Sequence, residues 1–209
     1  MSRLRVALAK GRLYQPSVER FGAAGVHPAN DAGRRLLIPS SDPSIEFLVV
    51  KPADVPVYVE SGAADLGVTG TDVLRETGAD VLEPLELGFG FCRLVVASPD
   101  GTDYPRLAGG ITARVATKYP RLAQAHFAAA GVPVDIIQVN GSVEVAPLLN
   151  LSHWIADLVD TGNTLRANGL VERETILECG AVLVANRASQ KLKLDAYLRV
   201  MEMLERARC

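Results

Sequence analysis

A short loop in the second half of the chain carries residue types that bind phosphate. An apolar strand pattern ends there, a helical pattern begins, and the loop between them reads Asp160-Thr161-Gly162-Asn163-Thr164. Its successive backbone N–H groups, its two Thr hydroxyls and the positive end of the helix would point to one place, and Gly162 permits a left-handed turn. Asp157 and Asp160 could accept hydrogen bonds from ribose hydroxyls or hold Mg²⁺ through water. An ordinary helix N-cap is the simpler interpretation, but two aspartates at the strand end favour a phosphate site.

The pattern of this loop also occurs earlier in the chain. The segments Ala64–Gly70 and Ala156–Gly162 both read A-D-L-x-x-T-G, so five of seven positions match in register. Each segment lies where a strand pattern is followed by a helical one. We interpret the two segments as parts of two related lobes that face each other, with the phosphate loop on the second lobe.

The composition excludes several classes of protein. A formal net charge of −2 disfavours a broad nucleic-acid surface, so an anionic ligand must meet local basic side chains. The three cysteines are far apart and lack CxxC spacing, which indicates reduced thiols and not a disulfide frame or a zinc site. The three histidines have no spacing typical of a metal site or a catalytic triad. No apolar run resembles a signal peptide or a membrane span. We therefore expect a soluble, cytoplasmic protein that binds neither nucleic acid nor membranes.

Short apolar runs alternate with helical patterns, which predicts an α/β fold with mixed, mainly parallel sheets. Strands are predicted at 4–9, 36–38, 46–50, 66–69, 92–98, 113–117, 135–139, 155–159 and 181–186. Helices are predicted at 14–24, 53–61, 72–77, 120–130, 143–150, 164–168 and 189–206. We expect a discontinuous first lobe, residues 1–90 plus 181–209, and a second lobe, residues 91–180, that contains the phosphate loop.

Other charged and polar residues lie where open α/β sheets bind ligands, at the ends of predicted strands. Lys10-Gly11-Arg12 follows the first strand, and it is either a solvated turn or a ligand contact with Gly11 allowing close approach. Lys51 is equally compatible with a surface position and with a phosphate contact. Lys118-Tyr119 could set an ammonium group and an aromatic face against a ligand. Ser142 and Glu144 begin a predicted helix, where Glu144 could bond an adenine amino group or simply favour the helix dipole.

The chain resembles the ATP phosphoribosyltransferases, which catalyse the first step of histidine biosynthesis. Its loop is similar to the phosphoribosyl-pyrophosphate (PRPP) loop of phosphoribosyltransferases, in which acidic residues precede a T-G-x-T turn. The other matching segments occur in the family's order and span nearly the whole chain. They are residues 8–13 (LAKGRL), 54–62 (DVPVYVESG), 64–74 (ADLGVTGTDVL), 116–120 (ATKYP), 141–147 (GSVEVAP) and 155–170 (IADLVDTGNTLRANGL).

The resemblance implies a fold, a reaction and a partner. The fold would have two lobes like the type II periplasmic binding proteins. The reaction would join C1 of the PRPP ribose to N1 of the ATP adenine ring and release pyrophosphate, with Mg²⁺ bound mainly through substrate phosphates. Because the sequence stops at Cys209, the chain resembles the short form of the family. That form works with a regulatory subunit similar to histidyl-tRNA synthetase, which implies a hetero-octamer that contains catalytic homodimers.

The resemblance also assigns roles to individual residues. Arg12 and Arg34 would be catalytic and would neutralise the departing pyrophosphate. The PRPP-binding residues would be Asp157, Asp160, Thr161, Gly162, Asn163 and Thr164. The ATP-binding residues would be Lys10, Gly11, Lys51, Thr69, Gly70, Asp72, Lys118, Tyr119, Ser142 and Glu144. Judged from the residue alone, Asp72 could equally be a helix cap.

Two other functions fit parts of the pattern. A non-catalytic, two-lobed binding protein for a small anion would share the lobes, but such proteins are usually exported. A phosphoribosyltransferase that acts on a free base would share the loop, but the paired A-D-L-x-x-T-G segments indicate duplicated lobes and count against it.

Overall fold

The computed structural model describes residues 3–29 and 35–207. In chain order its strands and helices are β1 (Leu4–Ala9), α1 (Tyr14–Ala23), β2 (Leu37–Pro39), β3 (Ile45–Val50), α2 (Val55–Glu60), β4 (Leu66–Gly70), α3 (Thr71–Thr77), β5 (Leu82–Glu86), β6 (Cys92–Pro99), β7 (Ala113–Thr117), α4 (Pro120–Ala129), β8 (Val134–Gln138), β9 (Trp154–Val159), α5 (Asn163–Ala167), β10 (Leu170–Cys179), β11 (Ala181–Ala185), α6 (Arg187–Leu192) and α7 (Leu194–Arg206). Single turns of 3-10 helix occur at Pro52–Asp54, Ala108–Gly110 and Val143–Val145.

The chain divides into two compact units. The first comprises residues Met1–Gly90 and Gly180–Cys209, and the second comprises Phe91–Cys179. Gly180, which the sequence-based division placed in the second lobe, belongs to the first unit. Its N–H donates to Thr71 Oγ1 at 3.1 Å, and its carbonyl accepts from the Thr71 N–H at 3.0 Å.

The first unit contains a six-stranded sheet in the order β2-β3-β1-β4-β11-β5. The strands β3, β1 and β4 are parallel, while β2, β11 and β5 pair antiparallel to their neighbours. The strands β4 and β11 are buried at every residue, which is why they read as continuous apolar runs. Phe21 of α1 packs edge-to-face on Phe47 of β3, with ring centroids 5.3 Å apart.

The second unit contains a five-stranded sheet in the order β10-β6-β9-β7-β8. The strands β8, β7 and β9 are parallel, β6 pairs antiparallel with β9, and β10 pairs antiparallel with β6. Trp154, at the start of β9, is fully buried. Its ring packs on Tyr104 and Phe127, and its Nε1–H donates to the Asp103 carbonyl at 3.0 Å.

Each unit gathers the carboxyl ends of its parallel strands at one edge of its sheet. In the first unit β1, β3 and β4 end before Lys10, Lys51 and Thr71. In the second unit β7 and β9 end before Lys118 and Asp160. Polar residues that are distant in sequence are thereby brought to the same edge.

Several predicted elements differ from the structure. The predicted mixed sheets are confirmed: β2 and β11 in the first sheet and β6 in the second run opposite to the other strands. The strands β5 and β10 were not predicted: β5 contains Pro84, and β10 carries exposed charges that hide its alternation. The predicted helix 143–150 is only a 3-10 turn, since Pro147 cannot continue a helix there. The predicted helix 189–206 is two helices, α6 and α7, interrupted at Lys193.

Candidate functional site

The predicted phosphate loop lines a pocket of about 360 Å³ at the carboxyl edge of the second sheet. Its walls are Glu144, Asp157, Leu158, Val159, Asp160, Thr161, Gly162, Asn163, Thr164 and Leu165. The structure thus brings all six predicted PRPP residues to one pocket, together with Glu144. The helix α5 that follows has only five residues, so the dipole at its end is small. The main phosphate donors available here are the loop's own N–H groups and hydroxyls.

Gly162 has a backbone conformation that explains its identity. It is the N-cap residue of α5 with φ 74° and ψ 6°, in the left-handed region. A Cβ atom at this position would lie 3.0 Å from Arg166 Nη1 and 3.0 Å from Glu172 Oε1. Both the dihedral angle and the neighbouring side chains therefore favour glycine.

Asp157 is a partly desolvated carboxylate near the end of β9. Burial raises the pKa of Asp157 above its ordinary value; the Leu158 N–H, which donates to Oδ1 at 2.8 Å, opposes the rise. Among the weaker influences, the Glu144 carboxylate raises the pKa further and the Lys118 ammonium group lowers it. An acidic group so placed gains most from a ligand that brings hydroxyl donors or a cation.

The residues around this pocket have different exposures. Lys118 and Ser142 are exposed, and Ser142 has a left-handed backbone with φ 50°. The prediction that Tyr119 sets an aromatic face against a ligand is wrong. The residue is 5% exposed and lies in an apolar cluster with Cys92, Leu94 and Cys179. The ring therefore cannot present its face to a ligand, and the aromatic character of Tyr119 serves the core.

The first unit presents a second group of predicted residues at the carboxyl edge of its own sheet. Lys10, Gly11, Arg12 and Lys51 are all exposed. Gly11 has φ 84°, with nothing within 4 Å of the position of an added Cβ. The Arg12 Nη1 group donates to the Gly90 carbonyl at 3.2 Å. This edge therefore offers three cationic side chains and an open glycine turn. Arg34 lies outside the described residues.

The residues Thr69, Gly70 and Asp72 form a compact group at the end of β4. A Cβ atom on Gly70 would overlap Asp72 Oδ1, so glycine is required beneath this carboxylate. Asp72 is only 4% exposed. Thr69 is completely buried, and within the described residues its hydroxyl oxygen has no hydrogen-bond partner. A direct contact between the Thr69 side chain and a nucleotide, as predicted, is therefore not supported.

The two A-D-L-x-x-T-G segments have different structures. In the first segment β4 continues through Thr69 and Gly70, whereas β9 ends before Thr161 and Gly162. The aspartates differ as well. Asp65 lies at the start of β4, where its Oδ2 accepts from the Arg5 N–H and from Lys193 Nζ, each at 2.8 Å. Only the second segment lines the pocket described above, and Asp65 forms a structural ion pair with Lys193.

Arg166 is a residue of this loop that the sequence reasoning missed. Its Nη2 group donates to the Thr161 carbonyl at 2.9 Å and to Asn163 Oδ1 at 2.6 Å. Its position on the same short helix, three and five residues beyond its acceptors, was the available signal.

Among the described residues, no group of three or more His, Cys, Asp or Glu is placed to hold a metal ion. Within the same residues, no helix combines the length and the apolar character of a membrane span.

Two mixed sheets in a discontinuous chain define a class of α/β protein that includes bacterial solute-binding proteins. The alkanesulfonate-binding protein SsuA from Xanthomonas axonopodis pv. citri superposes with a TM-score of 0.56 at 15% identity, over 99% of this chain and 73% of that one. At that identity the likeness shows the fold alone, and it confirms the predicted fold class.

A family profile described as HisG: ATP phosphoribosyltransferase matches residues 51–207. The chain is 48% identical over 206 residues to the ATP phosphoribosyltransferase of Sorangium cellulosum, covering 98% of this chain and 95% of that protein. It is 46% identical over 208 residues to that of Burkholderia cenocepacia, covering 98% and 96%. The ATP phosphoribosyl transferase (HisG:HisZ) complex from Thermotoga maritima contains a chain with a TM-score of 0.86 at 32% identity, with 98% of each chain covered. The chain belongs to the ATP phosphoribosyltransferase family. The predicted family and enzyme class are confirmed, and a non-catalytic anion-binding protein is not favoured.

Proposed function

We propose that the chain transfers the 5-phosphoribosyl group of PRPP to N1 of the ATP adenine ring and releases pyrophosphate, as the first step of histidine biosynthesis. The observation that carries the proposal is the pocket at the end of β9. In it, a left-handed glycine, two threonines and two aspartates line one concave surface of a chain that belongs to this family. As a biosynthetic enzyme it would work in the cytoplasm.

PRPP binding is assigned to the loop. The N–H groups and hydroxyls of Thr161, Gly162, Asn163 and Thr164 would receive the 5-phosphate. Asp157 and Asp160 would accept hydrogen bonds from the ribose hydroxyls. The raised pKa of Asp157 supports this assignment, because a partly desolvated carboxylate is stabilised by donors that a ligand brings.

For ATP binding we propose the accessible residues that the family resemblance names. Lys10, Lys51 and Lys118 supply charge for phosphates, and Gly11 allows close approach of the backbone. Glu144, which lines the pocket, would accept from the adenine amino group, with Ser142 beside it. Gly70 and Asp72 would shape the floor of the nucleotide site at the end of β4.

The reaction requires positioning more than proton transfer. The adenine N1 atom is a neutral nucleophile, so no strong base is needed, and charge develops at the ribose C1 atom and on the leaving pyrophosphate. Arg12 and Arg34 are proposed to stabilise that pyrophosphate. Mg²⁺, when bound to the substrate phosphates, would neutralise part of the same charge. The hard oxygen donors of Asp157 and Asp160 suit that cation.

We further propose that the chain assembles as catalytic homodimers with a regulatory subunit similar to histidyl-tRNA synthetase, in a hetero-octamer. The relative from T. maritima was solved as a HisG:HisZ complex, which supports a partner of this class. Light scattering of the chain, alone and mixed with a HisZ-type protein, measures the proposed masses directly.

The activity is tested by incubating the chain with ATP, PRPP and Mg²⁺, with and without the regulatory subunit. Pyrophosphate and a phosphoribosylated ATP are expected in equal amounts. Their absence under both conditions contradicts the proposal.

The Arg12→Ala variant is expected to lose about 2–4 kcal/mol of transition-state stabilisation, the scale of one preorganised charge-stabilising donor. Unchanged turnover in that variant would remove Arg12 from the mechanism.

A further inference from the structure

The side chain of Arg166 joins two residues of the phosphate loop, Thr161 and Asn163. It reaches back from α5 and donates from Nη2 both to the Thr161 carbonyl, at 2.9 Å, and to Asn163 Oδ1, at 2.6 Å. These two acceptors lie on either side of Gly162. The guanidinium group therefore closes a ring around the one residue whose left-handed conformation sets the direction of the loop.

The carboxylate of Glu172 also lies close to the position of Gly162. The position of a Cβ on Gly162 is 3.0 Å from Arg166 Nη1 and 3.0 Å from Glu172 Oε1, so these two atoms flank the glycine together. Glu172 of β10 is in turn paired with Arg93 of β6, Nη1 to Oε2 at 3.0 Å. This ion pair joins β6 to β10 and holds the Glu172 side chain next to the loop.

Within the described residues, Arg166 makes no hydrogen bond to the loop's N–H groups and threonine hydroxyls, which are the groups proposed to bind phosphate. The acceptors that it uses are a carbonyl and an amide oxygen, which could not bind a phosphate. Because both oxygens are paired with the guanidinium group, the loop's N–H groups and threonine hydroxyls remain as its donors for an anion. The Asn163 side chain, predicted to contact PRPP, is thus engaged in holding the loop.

We propose that Arg166 is a positioning residue for PRPP: through its bonds to Thr161 and Asn163 it holds the loop in the phosphate-binding conformation without touching the substrate. This inference rests on the proposed function of the loop. Without Arg166 the loop would sample other conformations, and part of the PRPP binding free energy would be lost in ordering it. The affinity for ATP does not depend on the same ordering.

The first experiment needs no substrate. Hydrogen exchange of the peptide that contains residues 160–165 is compared between the wild-type chain and Arg166→Ala. We expect the amides of this loop to exchange about tenfold faster in the variant, the change that follows from losing one charge-assisted hydrogen bond. The matched control is Arg114→Ala, because Arg114 likewise donates to two nearby oxygens, the carbonyls of Leu151 and Asn150, but at the other end of the sheet. Unchanged loop exchange in Arg166→Ala overturns the proposal.

The second experiment separates binding of the two substrates. In Arg166→Ala the KM for PRPP is expected to rise about tenfold while the KM for ATP changes less than twofold, and Arg166→Lys should recover part of the loss. PRPP binding measured by calorimetry gives the same comparison if the wild-type chain proves inactive, a result that would contradict the proposed function and not this inference. In the double variant that combines Arg166→Ala with Asn163→Ala, the KM for PRPP should be no higher than in Arg166→Ala alone. Additive losses would mean that Arg166 contacts PRPP itself, and equal effects on both substrates would mean a general structural role.

Discussion

At the scale of single residues, the phosphate loop places demands on its neighbours that oppose stability. Gly162 needs a left-handed backbone, and Asp157 holds a carboxylate in a partly desolvated position. Both features are costly in the unliganded protein, since glycine loses more conformational entropy than other residues and burial disfavours charge. A residue selected for stability alone would be different at Asp157, whereas the left-handed backbone at position 162 favours glycine.

Replacement of Gly162 by valine should weaken PRPP binding far more than ATP binding. A β-branched residue resists φ 74°, and its Cβ would press on Arg166 and Glu172 at 3.0 Å. Strain of about 1–3 kcal/mol predicts a KM for PRPP raised by roughly tenfold or more, as steady-state kinetics would show. The control is Gly131→Val, since Gly131 has φ 65° with nothing within 4 Å of an added Cβ. If both substrates were weakened equally, the loop would not be the phosphate site.

Replacement of Asp157 by asparagine should stabilise the protein while it lowers activity. Because burial raises the pKa of Asp157 in the folded state, the folded chain holds this proton more tightly than the unfolded chain does. Stability linked to that proton is present at low pH and is lost as the pH rises through the folded-state pKa. The melting temperature of Asp157→Asn should therefore exceed that of the wild type at about pH 7, and the difference should shrink as the pH falls toward about 4. A lower melting temperature at neutral pH would show that Asp157 stabilises the fold.

At the scale of elements, Asn186 connects three parts of the first unit through one buried side chain. Its Oδ1 atom accepts from the N–H groups of Ala188 and Ser189, which caps α6. Its Nδ2 group donates to the carbonyls of Val59 and Glu60 at the end of α2. The Asn186 side chain thereby links β11, α6 and α2 with four hydrogen bonds.

The Asn186→Ala variant should lose about 2–3 kcal/mol of unfolding free energy, from the lost cap and the lost hydrogen bonds to the carbonyls of Val59 and Glu60. Denaturant unfolding measures this change. The Asn186→Ser variant keeps a cap but cannot reach α2, so it should lose about half as much. A serine variant as stable as the wild type would show that the bonds to α2 contribute nothing.

How far the elements could be predicted depended on their burial. The strands β1, β4, β7, β9 and β11 lie inside the sheets, and their apolar runs located them to within a residue or two. The edge strand β10 could not be found, because one face meets solvent and two register shifts interrupt its alternation. The grouping of residues 160–164 around one pocket was predictable because these residues are contiguous. Arg166 was not, since its role depends on a side-chain direction, and Tyr119 was misjudged because burial of its ring depends on the distant strands β6 and β10.

At the scale of the whole molecule, the second unit is an insertion in the first. The chain enters it in β6 and leaves it in β10, and these strands pair antiparallel with Cys92 opposite Cys179. Both ends of the unit are therefore adjacent. The unit also has its own sheet, with buried clusters around Val95, Ala97 and Ile155 and around Phe127 and Trp154.

Residues 91–179 expressed alone should therefore fold. A domain with its own core and adjacent ends does not need the rest of the chain. Circular dichroism should show a mixed α/β spectrum and a single cooperative melting transition. A control fragment of residues 91–165, which lacks β10, should melt without cooperativity. A non-cooperative transition in the longer fragment would mean that the second unit depends on the first for its stability.

The position of β11 has a consequence for the order in which the protein forms during synthesis. In the first sheet β11 lies between β4 and β5, yet it is the last strand to leave the ribosome. Until then β4 and β5 have no strand between them, and their apolar residues stay unpaired with β11 while the whole second unit is synthesised. The second unit can thus finish folding during translation, whereas the first must await the final residues of the chain. A ribosome that stalls before Ala181 would leave a folded second unit beside an open sheet edge, the kind of surface that chaperones bind and that aggregates in their absence.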